Sequence, residues 1–185
     1  MASLEEAETT EKMIRALSAL FRYNLKNQDT EVCLSQELKI MEDYMYLQQM
    51  RFGERIRYEL DCKARQELVM VPAFTFQPLV ENAIIHGIAP KEEGGSIRIV
   101  VRQKENRLRI AIGDDGIGMT EEELQQLKNR LKTADAGHGG IGLGNVYRRI
   151  TAMYPDGNFE IYSKKNAGTV IFIDIPCREE TGDMT

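Results

Sequence analysis

Alternating residues come in adjacent pairs in this chain, and that pairing limits the fold more than any other feature. Ser96 to Arg102 and Leu108 to Gly113 are apolar at every second position and flank the polar tip Lys104-Glu105-Asn106-Arg107. Phe159 to Tyr162 and Thr169 to Ile175 do the same around Lys164-Lys165-Asn166-Ala167-Gly168. A period of two marks a strand with one buried face, and two such runs joined by a short polar tip make a hairpin. Arg55 to Asp61 adds a strand through Ile56, Tyr58 and Leu60, and Val69-Met70-Val71 adds a short extended piece. Helical segments fall between them: about Ala73 to Ile88, Thr120 (as cap) to Lys132, and Gly142 to Met153. Adjacent strands give a mixed, mostly antiparallel sheet, and the alternation leaves one face for the three helices to cover. The expected fold is an α+β two-layer sandwich, not a Rossmann fold.

Before Gly53 the period is helical. From Thr10 to Asn27, Met13, Leu17 and Leu20 form one stripe and Ile14, Phe21 and Leu25 another. A second helix runs from Ser35, read as its N-cap with Glu37 in the first turn, to Phe52. Leu34, Leu38, Met41, Met45, Gln48 and Phe52 follow heptad spacing. The short connection of Gln28 to Leu34 makes the pair an antiparallel hairpin. Its apolar faces exceed what a surface helix needs, so it either packs on its own domain or dimerises. The expected division is a helical hairpin over 1–52, an α+β domain over 53–177 and a disordered acidic tail over 178–185.

The 185 residues suit one domain, or a small domain with an appendage. A net charge of −5 without a basic stripe argues against nucleic acid as partner. Cys33, Cys62 and Cys177 are odd in number and far apart, with neither zinc spacing nor a disulfide framework, which fits a reducing cytoplasm. No run reaches the ~20 apolar residues of a membrane span, and the acidic start is no signal peptide. This chain is expected to make no membrane contact, although a longer parent could be anchored in the cell membrane.

Three stretches could carry chemistry. Phe76 to Gly87 reads F-Q-P-L-V-E-N-A-I-I-H-G, an apolar helix with Glu81 and Asn82 set into it. Buried polar groups cost a few kcal/mol unless satisfied, so these two face either the solvent edge or a ligand such as Mg²⁺, which prefers oxygen donors. Gly113-Asp114-Asp115-Gly116-Ile117-Gly118-Met119 follows a strand. Asp114 could accept from an amino group, or simply cap a turn. Gly137-His138-Gly139-Gly140-Ile141-Gly142-Leu143-Gly144-Asn145 leads a glycine-rich loop into a helix, either a phosphate site or a flexible loop.

Taken together, Glu81-Asn82-Ala83, Asp114-Asp115-Gly116-Ile117-Gly118 and Gly140-Ile141-Gly142-Leu143-Gly144 resemble the N, G1 and G2 boxes of the GHKL (Bergerat) ATP-binding superfamily of gyrase, Hsp90, histidine kinases and MutL. Gln77 to Gly87, Tyr44-Met45-Tyr46-Leu47-Gln48 with Arg51-Phe52, and Gly168-Thr169-Val170 resemble sensor histidine kinases of the LytS/YehU type, over about residues 13–177. The resemblance implies that ATP and Mg²⁺ bind. Asn82 would ligate the metal and Glu81 would orient its shell or a water. Asp114 would bind the adenine amino group, with Thr169 supporting it through water. Gly116 and Gly118 would close on adenine and ribose, and Gly140, Gly142, Leu143 and Gly144 would hold the phosphates. His86, one turn after Asn82, would reach them too, and Thr133 to Gly139 would be a lid.

There are departures. Ile85 replaces a lysine that many relatives carry, and His138 replaces a commoner glycine. The family's phosphorylated histidine lies in an N-P-H-F type motif, whereas His86 and His138 lie in other contexts. On the resemblance, the chain is therefore expected to be a kinase fragment that begins after that motif, a homodimer through its helices, passing phosphate to a response regulator through its parent. Pro78 stands where hydrolytic relatives carry a carboxylate, which disfavours a GHKL ATPase. The long hairpin disfavours an anti-sigma type serine kinase. The intact boxes disfavour a degenerate dimerisation module.

Overall fold

The computed structural model describes residues 2–27, 30–133 and 141–179. Two long helices come first, α1 (Ala2–Lys26) and α2 (Leu34–Phe52). Strands β2 (Ile56–Lys63), β4 (Gly95–Lys104), β5 (Arg107–Asp114), β6 (Asn158–Lys164) and β7 (Gly168–Pro176) form one five-stranded sheet in the order β2-β4-β5-β7-β6. Only β2 runs parallel to its neighbour, β4. A parallel pair needs a long crossover. Helix α3 (Phe76–Asn82) and the π-helical turn Ala83–Ile88 supply it.

The two strand pairs fold as their alternation requires. Ile97, Ile99 and Val101 of β4, Leu108, Ile110 and Ile112 of β5, and Ile171, Ile173 and Ile175 of β7 all point to the buried face. The opposite face is polar, with Arg102 paired to Asp61 and both Arg107 and Arg109 paired to Asp174. Phe76, Leu79, Val80 and Ile84 from α3 and its π turn, with Val146, Ile150 and Tyr154 from α5 (Ile141–Met153) and the residue after it, complete the core. Helix α4 (Glu121–Lys132) packs more lightly, through the half-buried Leu124, Leu127 and Leu131. The α+β two-layer sandwich with a preceding helical hairpin is the observed fold.

Four local features differ from expectation. The connection between α1 and α2 contains a strand, β1 (Glu31–Cys33), which pairs with β3 (Val69–Pro72). Strand β8 (Arg178–Glu179) pairs with the other edge of β3, so the segment expected to be a free tail starts inside a second, three-stranded sheet. Residues 180–185 lie outside the described residues. Helix α2 starts at Leu34 without a side-chain cap, and Ser35 donates to Glu67 instead (2.9 Å). Finally, α3 starts at Phe76 rather than Ala73. Phe74 has φ 59°, a left-handed conformation that cannot continue into a helix. Pro72 ends β3.

Candidate nucleotide site

The site is built along α3 and its continuation. Asn82 is the last α-helical residue, and its Nδ2 donates to the Pro78 carbonyl (2.7 Å). That bond leaves Oδ1 as the atom able to ligate. Across from it lies α5: a Cβ on Gly142 would stand 3.1 Å from Pro78 Cβ and 3.6 Å from Asn82 Nδ2. The first and third expected stretches thus meet here through Gly142. Leu143 turns inward and is buried, and Gly144 lies against Arg148 and Leu131. Gly140 and His138 belong to 134–140, outside the described residues.

After Asn82 the helix widens into the π turn, and Ala89 N–H donates to the Ile84 carbonyl (2.7 Å). Such turns interrupt helices at functional positions more often than elsewhere. This one delivers Gly87 to the Asp114 carboxylate, where a Cβ would come 2.6 Å from Oδ1. Gly116 packs on the Gly87 backbone, with its own Cβ position 2.3 Å from the Gly87 carbonyl carbon. Ile117 N–H donates to Gly87 O (2.9 Å), Gly116 N–H to Asp114 Oδ1 (2.9 Å), and Met119 N–H to Ser163 Oγ (2.9 Å). Gly118 has φ +57° and would place a Cβ 2.0 Å from Lys164 O. Thr169 pairs with Asp114 in the β5–β7 register, and its Oγ1 lies 2.8 Å from Ser163 Oγ.

Asp114 therefore sits in a cradle of glycine backbone. Burial pushes its carboxyl above the ordinary value, while amide hydrogen bonds from Gly116 and Thr169 pull it back in part. Its neighbour Asp115 does different work. It accepts from the Ser96 amide and hydroxyl (both 2.7 Å); burial pushes its carboxyl up, and these bonds together with the Lys91 charge outweigh that and hold it below the usual range. Asp115 fixes the start of β4, whereas the Asp114 carboxylate stays among the glycine backbone of Gly87 and Gly116.

Glu81 and His86 are placed less centrally. Glu81 is one position from Asn82 and so points about 100° away around the helix. Together with burial, its charge raises the Tyr44 hydroxyl of α2 above its ordinary value, which locates Glu81 toward the hairpin. His86 is exposed one turn beyond Asn82. Two contributors went unread in the sequence. Gly87 had a signal, a glycine inside an apolar helical run. Glu37 had none that separated it from a surface acid, yet it is buried against the start of α3.

The family model for histidine kinase-, DNA gyrase B- and HSP90-like ATPases matches residues 73–179. The chain belongs to this family. A histidine kinase family model also matches residues 1–56. Among curated relatives, the sensor protein LytS of Enterococcus faecalis is 32% identical over 181 residues, covering 97% of this chain and 31% of the relative. The sensor histidine kinase YesM of Bacillus subtilis is 31% identical over 181 residues, covering 97% and 30%. The chain thus spans about a third of the length of these relatives. Among solved structures, the catalytic domain of the histidine kinase ThkA superposes with a TM-score of 0.61 at 18% identity, over 83% of this chain and 99% of that one. The mycobacterial sensor histidine kinase MprB superposes at 0.57 and 17% identity, over 82% and 99%. The chain has the fold of the ThkA catalytic domain.

Proposed function

We propose that the chain is the ATP-binding catalytic region of a two-component sensor histidine kinase. The observation that carries this reading is the glycine cradle around Asp114, joined through the π turn and α3 to Asn82, which faces Gly142 of α5. A half-buried carboxylate that accepts from an amino group suits adenine. An amide oxygen beside a glycine-bearing helix start suits a metal-bridged phosphate chain. Among the described residues no three His, Cys, Asp or Glu side chains converge as a metal centre. A Mg²⁺ here would be held by Asn82 Oδ1 and by phosphate oxygens. Bound there, it would neutralise charge that develops on the phosphates.

In the reaction, an imidazole nitrogen attacks the γ-phosphorus while the bond to the bridging oxygen breaks, giving a phosphohistidine and ADP. The protein's contribution is positioning and charge neutralisation. Asn82 and Gly142 orient the phosphates, Asp114, Gly116, Gly118 and Thr169 hold the base, and Glu81 and His86 flank the phosphate end. The accepting histidine is a residue other than His86 and His138, and a response regulator receives the phosphate next. Pro78 has no carboxylate to activate a water one turn before Asn82, where hydrolysis would need one, and this favours transfer. The exposed Ile14, Leu17, Phe21 and Leu25 of α1 form an apolar row suited to a second copy of the chain. No described helix is long and apolar enough to cross a membrane. A membrane anchor in the parent, with this region in the cytoplasm, fits the reading.

Titration calorimetry with a non-hydrolysable ATP analogue and Mg²⁺ tests it. Heat with the ATP analogue and none with the GTP analogue is expected. No heat with either overturns the reading.

A further inference from the structure

The first turn of α3 is capped by a residue from another helix. Thr75 flanks α3 but supplies no side-chain cap. The Glu37 carboxylate of α2, 1% exposed, takes that place. It accepts from the amides of Phe74 (2.7 Å), Thr75 (2.7 Å) and Phe76 (3.0 Å). Tyr23 of α1, itself buried, donates its hydroxyl to the same carboxylate. A buried carboxylate is tolerated only when so satisfied, and here it also faces the positive end of the helix dipole.

Phe74 closes the assembly. Its backbone is held at φ 59°, a costly conformation for an aromatic residue. Its ring packs edge-on to Tyr23 at 5.0 Å, and the Arg149 guanidinium of α5 lies 5.7 Å from its centroid. Arg149 also donates to the Ala73 carbonyl. A cleft of about 320 Å³ opens beside it, lined by Asn24, Phe74, Pro78, Gly142, Asn145 and Arg149. One node therefore touches both helices of the hairpin, the start of the helix that bears Asn82, and the helix that bears Gly142.

We propose that Glu37 and Tyr23 are positioning residues for the nucleotide site: they clamp the start of α3 to the hairpin, so that the hairpin's arrangement sets where Asn82 stands relative to Gly142. This rests on the nucleotide reading above. Coupling of this kind is reciprocal, so nucleotide must in turn steady the hairpin.

Two variants of the whole chain test the clamp, Glu37→Gln and Tyr23→Phe, which keep side-chain shape and change the bonding. Without nucleotide, the Phe74, Thr75 and Phe76 amides should exchange hydrogen about tenfold faster in E37Q, and by a smaller factor in Y23F. With the Mg²⁺-loaded analogue, affinity should fall about tenfold in E37Q, within the usual range of coupling. Nucleotide should slow exchange around Tyr23 in the unmutated chain and not in Y23F. Ile175→Val, a sheet-core change that lowers stability alone, should leave affinity unchanged. Unchanged amide exchange in both variants overturns the clamp, and so does an equal affinity loss in I175V and E37Q. If the unmutated chain binds no nucleotide, the nucleotide reading fails, and the nucleotide-free exchange rates still decide the clamp. Should E37Q not fold, Y23F decides alone, because it leaves the carboxylate in place.

Discussion

Two helices of this molecule begin in opposite ways. Helix α4 carries its own cap: Thr120 Oγ1 accepts from the Glu123 amide (3.2 Å) while the Glu123 carboxylate accepts from the Thr120 amide (2.8 Å). This reciprocal box lies at the surface and spans four consecutive residues. Helix α3 has no such box, and its cap arrives from Glu37, 38 positions before Thr75 and fully buried. A local cap makes a helix start independent of its surroundings. A distant one makes it conditional on another element. The conditional start belongs to the helix that bears Asn82, so on the proposed reading the nucleotide site inherits the packing of the hairpin.

The largest effect that can sharpen this contrast is the loss of the Glu37 side chain. Glu37→Ala would leave the Phe74, Thr75 and Phe76 amides and the Tyr23 hydroxyl without their acceptor inside the protein. Burying unsatisfied donors costs roughly 1–3 kcal/mol each, partly relieved by relaxation, so we expect a loss of about 4 kcal/mol. Denaturant titration measures it. A loss under about 1 kcal/mol would place Glu37 on the same footing as a surface cap and erase the contrast.

The far end of the same helix is fixed by absent side chains rather than by charge. Gly116→Ala would put a methyl group 2.3 Å from the Gly87 carbonyl carbon, against backbone that cannot swing aside. We expect about 3 kcal/mol of destabilisation and a collapse of nucleotide affinity greater than the stability loss explains. Calorimetry beside thermal unfolding separates the two. Full affinity in a folded G116A protein would show that the cradle is looser than its geometry.

These ends also differ in how far the sequence disclosed them. The paired strands were legible because a buried face every second residue leaves a period. The α4 cap was legible as Thr120, since the amide it serves lies within the same turn, although the returning bond from Glu123 was not read. The glycines of the G1 stretch announced a close approach, although not that Gly87 would be the surface approached. Glu37 was illegible for a physical reason. Its partners are backbone amides, which have no sequence identity, and they lie on another helix. The small sheet escaped for a related reason: β1 and β8, at three and two residues, are too short to show any period. The left-handed Phe74 could not be foreseen, because its strain is held by Tyr23 and Arg149 from distant elements.

A smaller effect tests Asp114 as the ligand-facing member of its pair. Asp114→Asn removes one charge-assisted hydrogen bond to an amino group, worth about 2 kcal/mol, or roughly thirtyfold in affinity. Its pH dependence carries the sign. Burial raises the Asp114 carboxyl, so its proton is gained at higher pH than in an unfolded chain, where the value is 3.8. Affinity for the ATP analogue should therefore fall as pH drops through a midpoint above 3.8, and this dependence should vanish in D114N. The protonated form is the one the folded state favours, so stability from this group is greatest below 3.8 and is lost as pH rises through the raised value. A pH dependence unchanged in D114N would assign the base contact to another group.

The smallest effect completes the comparison. Thr120→Ala removes one surface acceptor from α4 and leaves its amides free to bond water. The expected cost is about 1 kcal/mol. What matters is its reach. Because the box is self-contained, faster hydrogen exchange should stay within the first turn, Glu121 to Leu124, with the α3 amides at their original rates. Exchange that spread from α4 into Phe74 to Phe76 would mean that the two helix starts are coupled through the sheet. The difference between a local and a borrowed cap would then be one of degree only.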